Sequence, residues 1–256
     1  MKVSIFSSCV VDLMFPNVGI AMVEVLERLG FETTLPEKQI CCGQPTFNSG
    51  YEEKSYATFR NQIDAFEDSD YVVGGAGSCV AMLREYPDLL KDKDPIYYEK
   101  AVKLAEKTYE FSQFIYRVVG LTDVGAHLDG KATYHRSCHM TRLLGEREAP
   151  FILLDHVEGL EMIPLPHINN CCGFGGTFSV KMPEISEEMV TEKMNDVIDT
   201  GAEILISADM GCLMNIGGKF NRDGHPIKIM HIAEVLNSNV DETKINRQAI
   251  AATEEK

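Results

Sequence analysis

The sequence is poor in several features that would have placed it quickly. It lacks a basic excess: 24 lysines and arginines stand against 39 acidic residues, a net charge of -15. A polyphosphate backbone would be repelled over most of such a surface, so nucleic acid is not expected as a partner. It lacks a run of roughly 20 uninterrupted apolar residues, so no membrane span is expected. The apolar start is interrupted by Asp12, Pro16 and Asn17 and leads to no small-residue cleavage site. A secretory leader is therefore not expected either, and a cytoplasmic location is. There is no G-x-G-x-x-G, and Gly173-Phe174-Gly175-Gly176 carries no lysine-serine ending. Nicotinamide, flavin and P-loop sites are unsupported. Neither half contains C-x-x-C, the pairing most zinc sites draw on.

What remains is ordinary globular composition, 45% hydrophobic and 25% charged over 256 residues, enough for two lobes of roughly 100 to 150 residues. Eight cysteines in a reducing compartment read as metal ligands or redox thiols before disulfides. They fall into two quartets, Cys9, Cys41, Cys42, Cys79 and Cys138, Cys171, Cys172, Cys212, related by offsets of 129, 130, 130 and 133. Both doublets continue into glycine, Gly43 and Gly173, and Phe6-Ser7-Ser8-Cys9 aligns with His135-Arg136-Ser137-Cys138. The chain is an internal duplication: a first lobe over 1–125 including a connecting helix, a second over 126–240, and a polar tail over 241–256, read as solvated.

Each lobe alternates strand and helix. Strands are expected at Val3–Phe6, Phe31–Leu35, Tyr71–Val73, Ala132–Tyr134, Glu161–Ile163 and Glu203–Ile206, with helices at Val18–Leu29, Tyr51–Phe66 and Pro183–Ile198. Pro95 to Val119 reads as one long connecting helix packed across the lobes. The fold class is α/β: two similar Rossmann-like lobes, each a mostly parallel sheet flanked by helices. Every cysteine follows an expected strand, so four thiols from three strand ends can meet at the carboxyl edge of each sheet. A doublet converging on one site needs a tight turn, which the following glycine permits. Helices are expected to start just after the last cysteines, at Val80 and Leu213, their dipoles favouring thiolate. Four thiolates suit zinc or a four-iron cluster, and the long spacing with a consecutive doublet favours iron and sulfur.

Other polar residues cluster in the second lobe. Arg142 and His139 have the chemistry to hold a carboxylate and take a hydroxyl proton from a 2-hydroxy acid, although residues merely flanking a cluster have the same composition. Met210 and Met214 beside Cys212 are expected to shield it from water. His231 aligns with Phe111 and reads as structural.

The repeated pattern of Cys9, Cys41-Cys42-Gly43, Cys79 and Cys138, Cys171-Cys172-Gly173, Cys212 resembles the cysteine-rich CCG domain family, over about residues 2 to 237. That family includes the B subunit of heterodisulfide reductase and the iron-sulfur subunit of glycolate oxidase. The size and the stretches Cys171-Cys172-Gly173-Phe174-Gly175-Gly176 and Asp209-Met210-Gly211-Cys212-Leu213-Met214-Asn215 resemble its lactate-utilisation branch. The resemblance implies an oxidoreductase subunit that transfers electrons in the oxidation of L-lactate to pyruvate. It also implies two other lactate-utilisation subunits as partners, at least one carrying redox cofactors. All eight cysteines would then hold one or two 4Fe-4S clusters.

The heterodisulfide reductase pattern has a fifth cysteine per lobe, where Ala76 and Asp209 stand here. A conventional cluster on four thiolates is therefore expected, with Asp209 capping the following helix. Two alternatives stay open. One is a scaffold with zinc in the first quartet, Cys9 to Cys79. The other is metal-free thiol-disulfide exchange of Cys171 and Cys172 with Cys138 or Cys212.

Overall fold

The computed structural model describes residues 1–254. The first sheet contains β1 (Lys2–Phe6), β2 (Glu32–Thr34), β3 (Tyr71–Gly74) and β4 (Thr108–Glu110). The second contains β5 (His127–His135), β6 (Glu158–Ile163), β7 (Ile204–Ser207) and β8 (Lys228–His231). Both are parallel throughout and share one topology, β2-β1-β3-β4 and β6-β5-β7-β8. The chain leaves β1 for one side and returns on the other with β3, so a crevice opens beyond the carboxyl ends of these two strands. The same reversal lies between β5 and β7, and the duplication therefore builds the same ligand-accepting edge twice.

The six expected strands are present, within a few residues. Helix Pro16–Arg28 starts on a proline and buries Val18, Ala21, Met22, Val25 and Leu26 on one face. Helix Pro183–Thr200 likewise starts on a proline and stops at Gly201, whose φ of 66° only glycine adopts freely.

The window 95–119 differs from expectation. Helix Pro95–Glu106, capped by Asp94, packs on helix Gly77–Leu90 of its own lobe. The chain then forms β4, and Phe111–Val119 resumes as a short α-turn and a π-helix against helices Ala149–Asp155 and Ile232–Leu236 of the other lobe. Only this last part crosses between lobes. A three-residue strand of Thr-Tyr-Glu has too little apolar alternation to interrupt a helical pattern in sequence.

The 241–256 segment, read as a solvated tail, docks over its described part. Ile245, Ile250 and Thr253 are buried. Arg247 Nη1 donates to the Arg28 carbonyl at 2.6 Å from helix Arg247–Glu254.

The lobes share a continuous core, with Val3, Ile5 and Val73 in one cluster with Ala132, Tyr134, Ile204 and Ile206. Their contact is reciprocal. Ala76 and Asp209, equivalent positions of the repeat, face one another in an antiparallel bridge. On either side, helix Gly77–Leu90 packs on helix Cys138–Arg142, and helix Cys9–Met14 packs on helix Met210–Arg222. An approximate twofold therefore runs between Ala76 and Asp209. The approach is close: a Cβ at Gly77 would lie 2.7 Å from Met140 Cβ. Gly77→Val is expected to force the lobes apart at a cost of roughly 1–3 kcal/mol, read as a lower urea midpoint.

The ends of β4 and β8 show how the repeat has diverged. The registers Gly74 to Glu110 and Ser207 to His231 make His231 the counterpart of Glu110, one residue from the Phe111 expected. Both are helix N-caps. The Glu110 carboxylate accepts from Gln113 N–H at 3.0 Å. His231 Nδ1 accepts from Ala233 N–H at 3.1 Å, while its Nε2–H donates to the Gly75 carbonyl of the other lobe at 2.7 Å. Burial pushes the His231 ring down to about 4, so it is neutral and its tautomer is set by these two bonds. The role is structural, as expected.

Burial pushes the Glu110 carboxyl up to about 7. A raised carboxyl pKa means that both folded and unfolded chains are protonated at low pH, whereas at high pH the folded chain carries an unfavourable buried charge. The contribution of Glu110 to stability is therefore lost between about pH 4.5 and 7. Glu110→Gln is expected to match wild type near pH 4.5 and to exceed it by on the order of 3 kcal/mol above pH 7, in urea unfolding at the two pH values.

Candidate metal centre

The eight cysteines are placed by three kinds of local structure. Cys9 and Cys138 open helices Cys9–Met14 and Cys138–Arg142 immediately after β1 and β5. The Ser8 hydroxyl caps the first of these by accepting from Val11 N–H.

Cys79 and Cys212 lie at the third position of helices Gly77–Leu90 and Met210–Arg222, which start one turn earlier than expected. In the second lobe the cause is Asp209, whose Oδ1 accepts from Gly211 N–H at 3.1 Å. Its Oδ2 accepts from Ser78 N–H of the other lobe at 2.9 Å. Asp209 is thus the cap it was read to be, and it also ties the two lobes together, with both carboxylate oxygens engaged.

The doublets sit in irregular segments after β2 and β6. Gly43 and Gly173 have φ of 83° and 81°, the left-handed turn the sequence reading required. Cys42 and Cys172 are buried, and their carbonyls are held by groups that sequence alone did not single out. Tyr86 Oη donates to Cys42 O at 2.7 Å, and Asn215 Nδ2 to Cys172 O at 2.8 Å. Each donor lies on the helix that carries the last cysteine of its quartet, seven residues on in one lobe and three in the other, a link visible only when the helix is assembled.

In each lobe the sulfurs form a connected series. Cys9 Sγ approaches Cys41 Sγ at 3.9 Å, and further thiol contacts join Cys41 to Cys42 and Cys42 to Cys79. The second lobe repeats this from Cys138 through Cys171 and Cys172 to Cys212. Hydrogen bonds from Cys42 and Cys9 push the Cys41 thiol down to about 2, and bonds from Cys138 and Cys172 push Cys171 down to about 2. Gly173 N–H adds a bond to Cys171 Sγ at 3.5 Å. Their neighbours move the opposite way: the bond to Cys41 and burial push Cys42 up, and the bond to Cys171 and burial push Cys172 up. Each doublet thus favours thiolate at its first cysteine and resists deprotonation at its second. A bound cation removes that resistance, which is the response expected of a thiolate metal site.

Both quartets open on one cavity of about 290 Å³, lined by all eight cysteines. One or two clusters were expected; the approximate twofold brings the carboxyl edges of the two sheets, and with them both quartets, face to face. The Gly173–Gly176 turn, rejected as a nucleotide loop, helps to cover this cavity. Phe174 packs against Gly211, where a Cβ would stand 3.0 Å from the ring. Next to it Thr177 Oγ1 pairs with Ser49 Oγ of the other lobe at 2.9 Å.

His139 also lines the cavity, with Nδ1 3.4 Å from Cys138 Sγ. Arg142 does not; it borders a separate depression of about 120 Å³ with Cys138, His139 and Leu143. Met210 is buried in the same second-lobe core cluster as Cys212, whereas neither it nor Met214 lines the cavity, which Phe174 does. Among the described residues no helix is long and apolar enough to cross a membrane.

Comparison with known proteins agrees with this architecture. The cysteine-rich CCG domain model matches twice, at residues 3–84 and 132–217. Lactate utilization protein A of Bacillus pumilus is 60% identical over 93% of this chain and 100% of its own length. Its namesakes in Geobacillus thermodenitrificans and Bacillus subtilis are 58% and 59% identical, over 93% of this chain and 99% and 100% of theirs. A solved structure of a hypothetical protein from Helicobacter pylori shares the fold, with a TM-score of 0.62 at 10% identity, covering 98% of this chain and 50% of that one. Two CCG matches over two superposable lobes, together with full-length relatives at this identity, establish that the chain belongs to the cysteine-rich CCG domain family, in the group of the lactate utilization proteins A.

Proposed function

We propose that the chain is the iron-sulfur subunit of a complex that oxidises L-lactate to pyruvate in the cytoplasm. The observation that carries this reading is the pair of thiol quartets opening on one cavity. The relatives' name supports the substrate.

Four cysteines per lobe fit a four-iron cluster in number and in chemistry, since a bound cation favours the thiolate form of the buried doublet cysteines that resist deprotonation on their own. An iron-sulfur cluster held there supplies one-electron redox chemistry. The chain's own residues provide the rest. The left-handed turns at Gly43 and Gly173 aim the doublets inward, Tyr86 and Asn215 fix the doublet carbonyls, and Phe174 lines one side of the cavity with an apolar ring.

Lactate oxidation removes two electrons and two protons, formally a hydride and a proton, and one-electron centres do not accept a hydride in a single step. The chain has no sequence motif for a flavin or nicotinamide, so a partner with redox cofactors is needed, and the two other lactate-utilisation subunits that the resemblance implies would complete the system. His139, at the cavity wall, is the residue of this chain best placed to meet a small acid there.

Metal and acid-labile sulfide analysis of anaerobically purified protein tests the reading. Brown protein with about four irons per occupied lobe and matching sulfide is expected. Colourless protein holding only zinc overturns it and leaves a scaffold.

A further inference from the structure

The two lobes differ at one buried position that faces the second quartet. By sheet register His135 at the end of β5 corresponds to Phe6 at the end of β1, each three residues before the first cysteine of its quartet. Phe6 meets Phe66 edge-on, ring centroids 5.9 Å apart, in an apolar setting that needs no partner. His135 is 1% exposed, and neither ring nitrogen has a hydrogen-bond partner.

A buried imidazole with both nitrogens unpaired is costly, because one N–H and one lone pair have been taken from water without compensation. Such a group is retained where something else satisfies it. One ring nitrogen of His135 and the sulfurs of Cys172 and Cys212 all lie within 4.8 Å of one another. Neither nitrogen forms an N–H···S bond in the present arrangement, yet the nitrogen and the two sulfurs are close enough together to face one metal centre.

We propose that His135 is a metal ligand of the second-lobe centre, which therefore has a mixed nitrogen and sulfur donor set, whereas the first-lobe centre is all thiolate. The proposal rests on the reading of the second quartet as a metal site. The duplicated centres are then unequal in ligation by virtue of a single substitution, histidine for phenylalanine, at the same point of the same strand.

The test is pulsed paramagnetic resonance on the full chain, purified anaerobically with 14N- or 15N-histidine. Expected is a nitrogen hyperfine coupling of the strength of a directly bound imidazole, retained in His139→Gln and abolished in His135→Phe with iron still present. Iron signals without such a coupling, a coupling abolished by His139→Gln, or only the weak coupling of a hydrogen-bonded ring would each overturn the proposal. If His135→Phe fails to fold, wild type and His139→Gln alone decide.

A second arm does not depend on iron. Co2+ titrated into metal-free protein should bind the second site at least tenfold more weakly in a Cys42→Ala/His135→Phe chain than in Cys42→Ala, and unchanged affinity contradicts the assignment. Failure of Co2+ and iron alike to bind wild type would defeat this proposal and the proposed function together. Iron bound without nitrogen coupling defeats this one alone.

Discussion

Gly173→Ala is expected to lower stability by roughly 2–5 kcal/mol and to empty the second-lobe site, whereas Gly43→Ala costs less. Both glycines adopt a left-handed φ, so alanine at either pays the steric cost of that region. They differ in what a Cβ would meet. At Gly173 it comes within 2.7 Å of the Ser186 carbonyl oxygen, backbone of helix Pro183–Thr200, and 3.1 Å from Met189 Cβ. At Gly43 the nearest atoms are side-chain carbons of Phe59 and Thr58, at 2.8 and 3.2 Å. Side chains can move and a helix backbone cannot do so locally. Moving the Gly173 turn also shifts Cys171 and Cys172, so the stability loss and the loss of bound metal should appear together. Urea unfolding and metal analysis of the two variants check this; equal effects would mean that the obstruction from Ser186 is relieved elsewhere.

Cys42→Ala and Cys172→Ala are each expected to lose roughly half of the bound iron while the chain stays folded. Both residues are the buried second members of their doublets, each linked to the last thiol of its quartet. Removing one sulfur breaks the connected series of its own lobe and leaves the other series intact. Low-temperature paramagnetic resonance of the two variants beside wild type should show complementary signals, one from each lobe. Loss of all iron from either single variant would instead mean one shared centre across the cavity.

Much of this was legible in the residues because the information was local. The strands are short apolar runs ending at cysteines, and the turn glycines follow from the geometry of consecutive side chains. The repeat offsets, which change only from 129 to 133, fix the equivalence of the lobes. What could not be read depends on how the lobes meet. The bridge between Ala76 and Asp209 and the close approach of Gly77 to Met140 leave no periodicity, so nothing in the spacing revealed that both quartets share a cavity.

The helix start at Gly77 was missed because its N-cap, Ala76, has no side-chain acceptor to mark it, and at Met210 the cysteine was taken as the boundary although Asp209 was read as a cap. Strand β4 was hidden within a helical pattern. The docked C-terminal segment was hidden in a stretch whose buried residues, Ile245, Ile250 and Thr253, are too few to outweigh its charge. His135 was noted only as a neighbour of Cys138; that it is buried and unpaired is a property of the packed sheet.

Crystals grown without oxygen, measured on both sides of the iron absorption edge, would locate any iron relative to the sulfurs. Anomalous density is expected against both Cys9, Cys41, Cys42, Cys79 and Cys138, Cys171, Cys172, Cys212, with the two peaks facing each other across the cavity. Sulfurs of either quartet dispersed through a folded chain, or density that persists only at the zinc edge, would contradict the assignment of these thiols to iron.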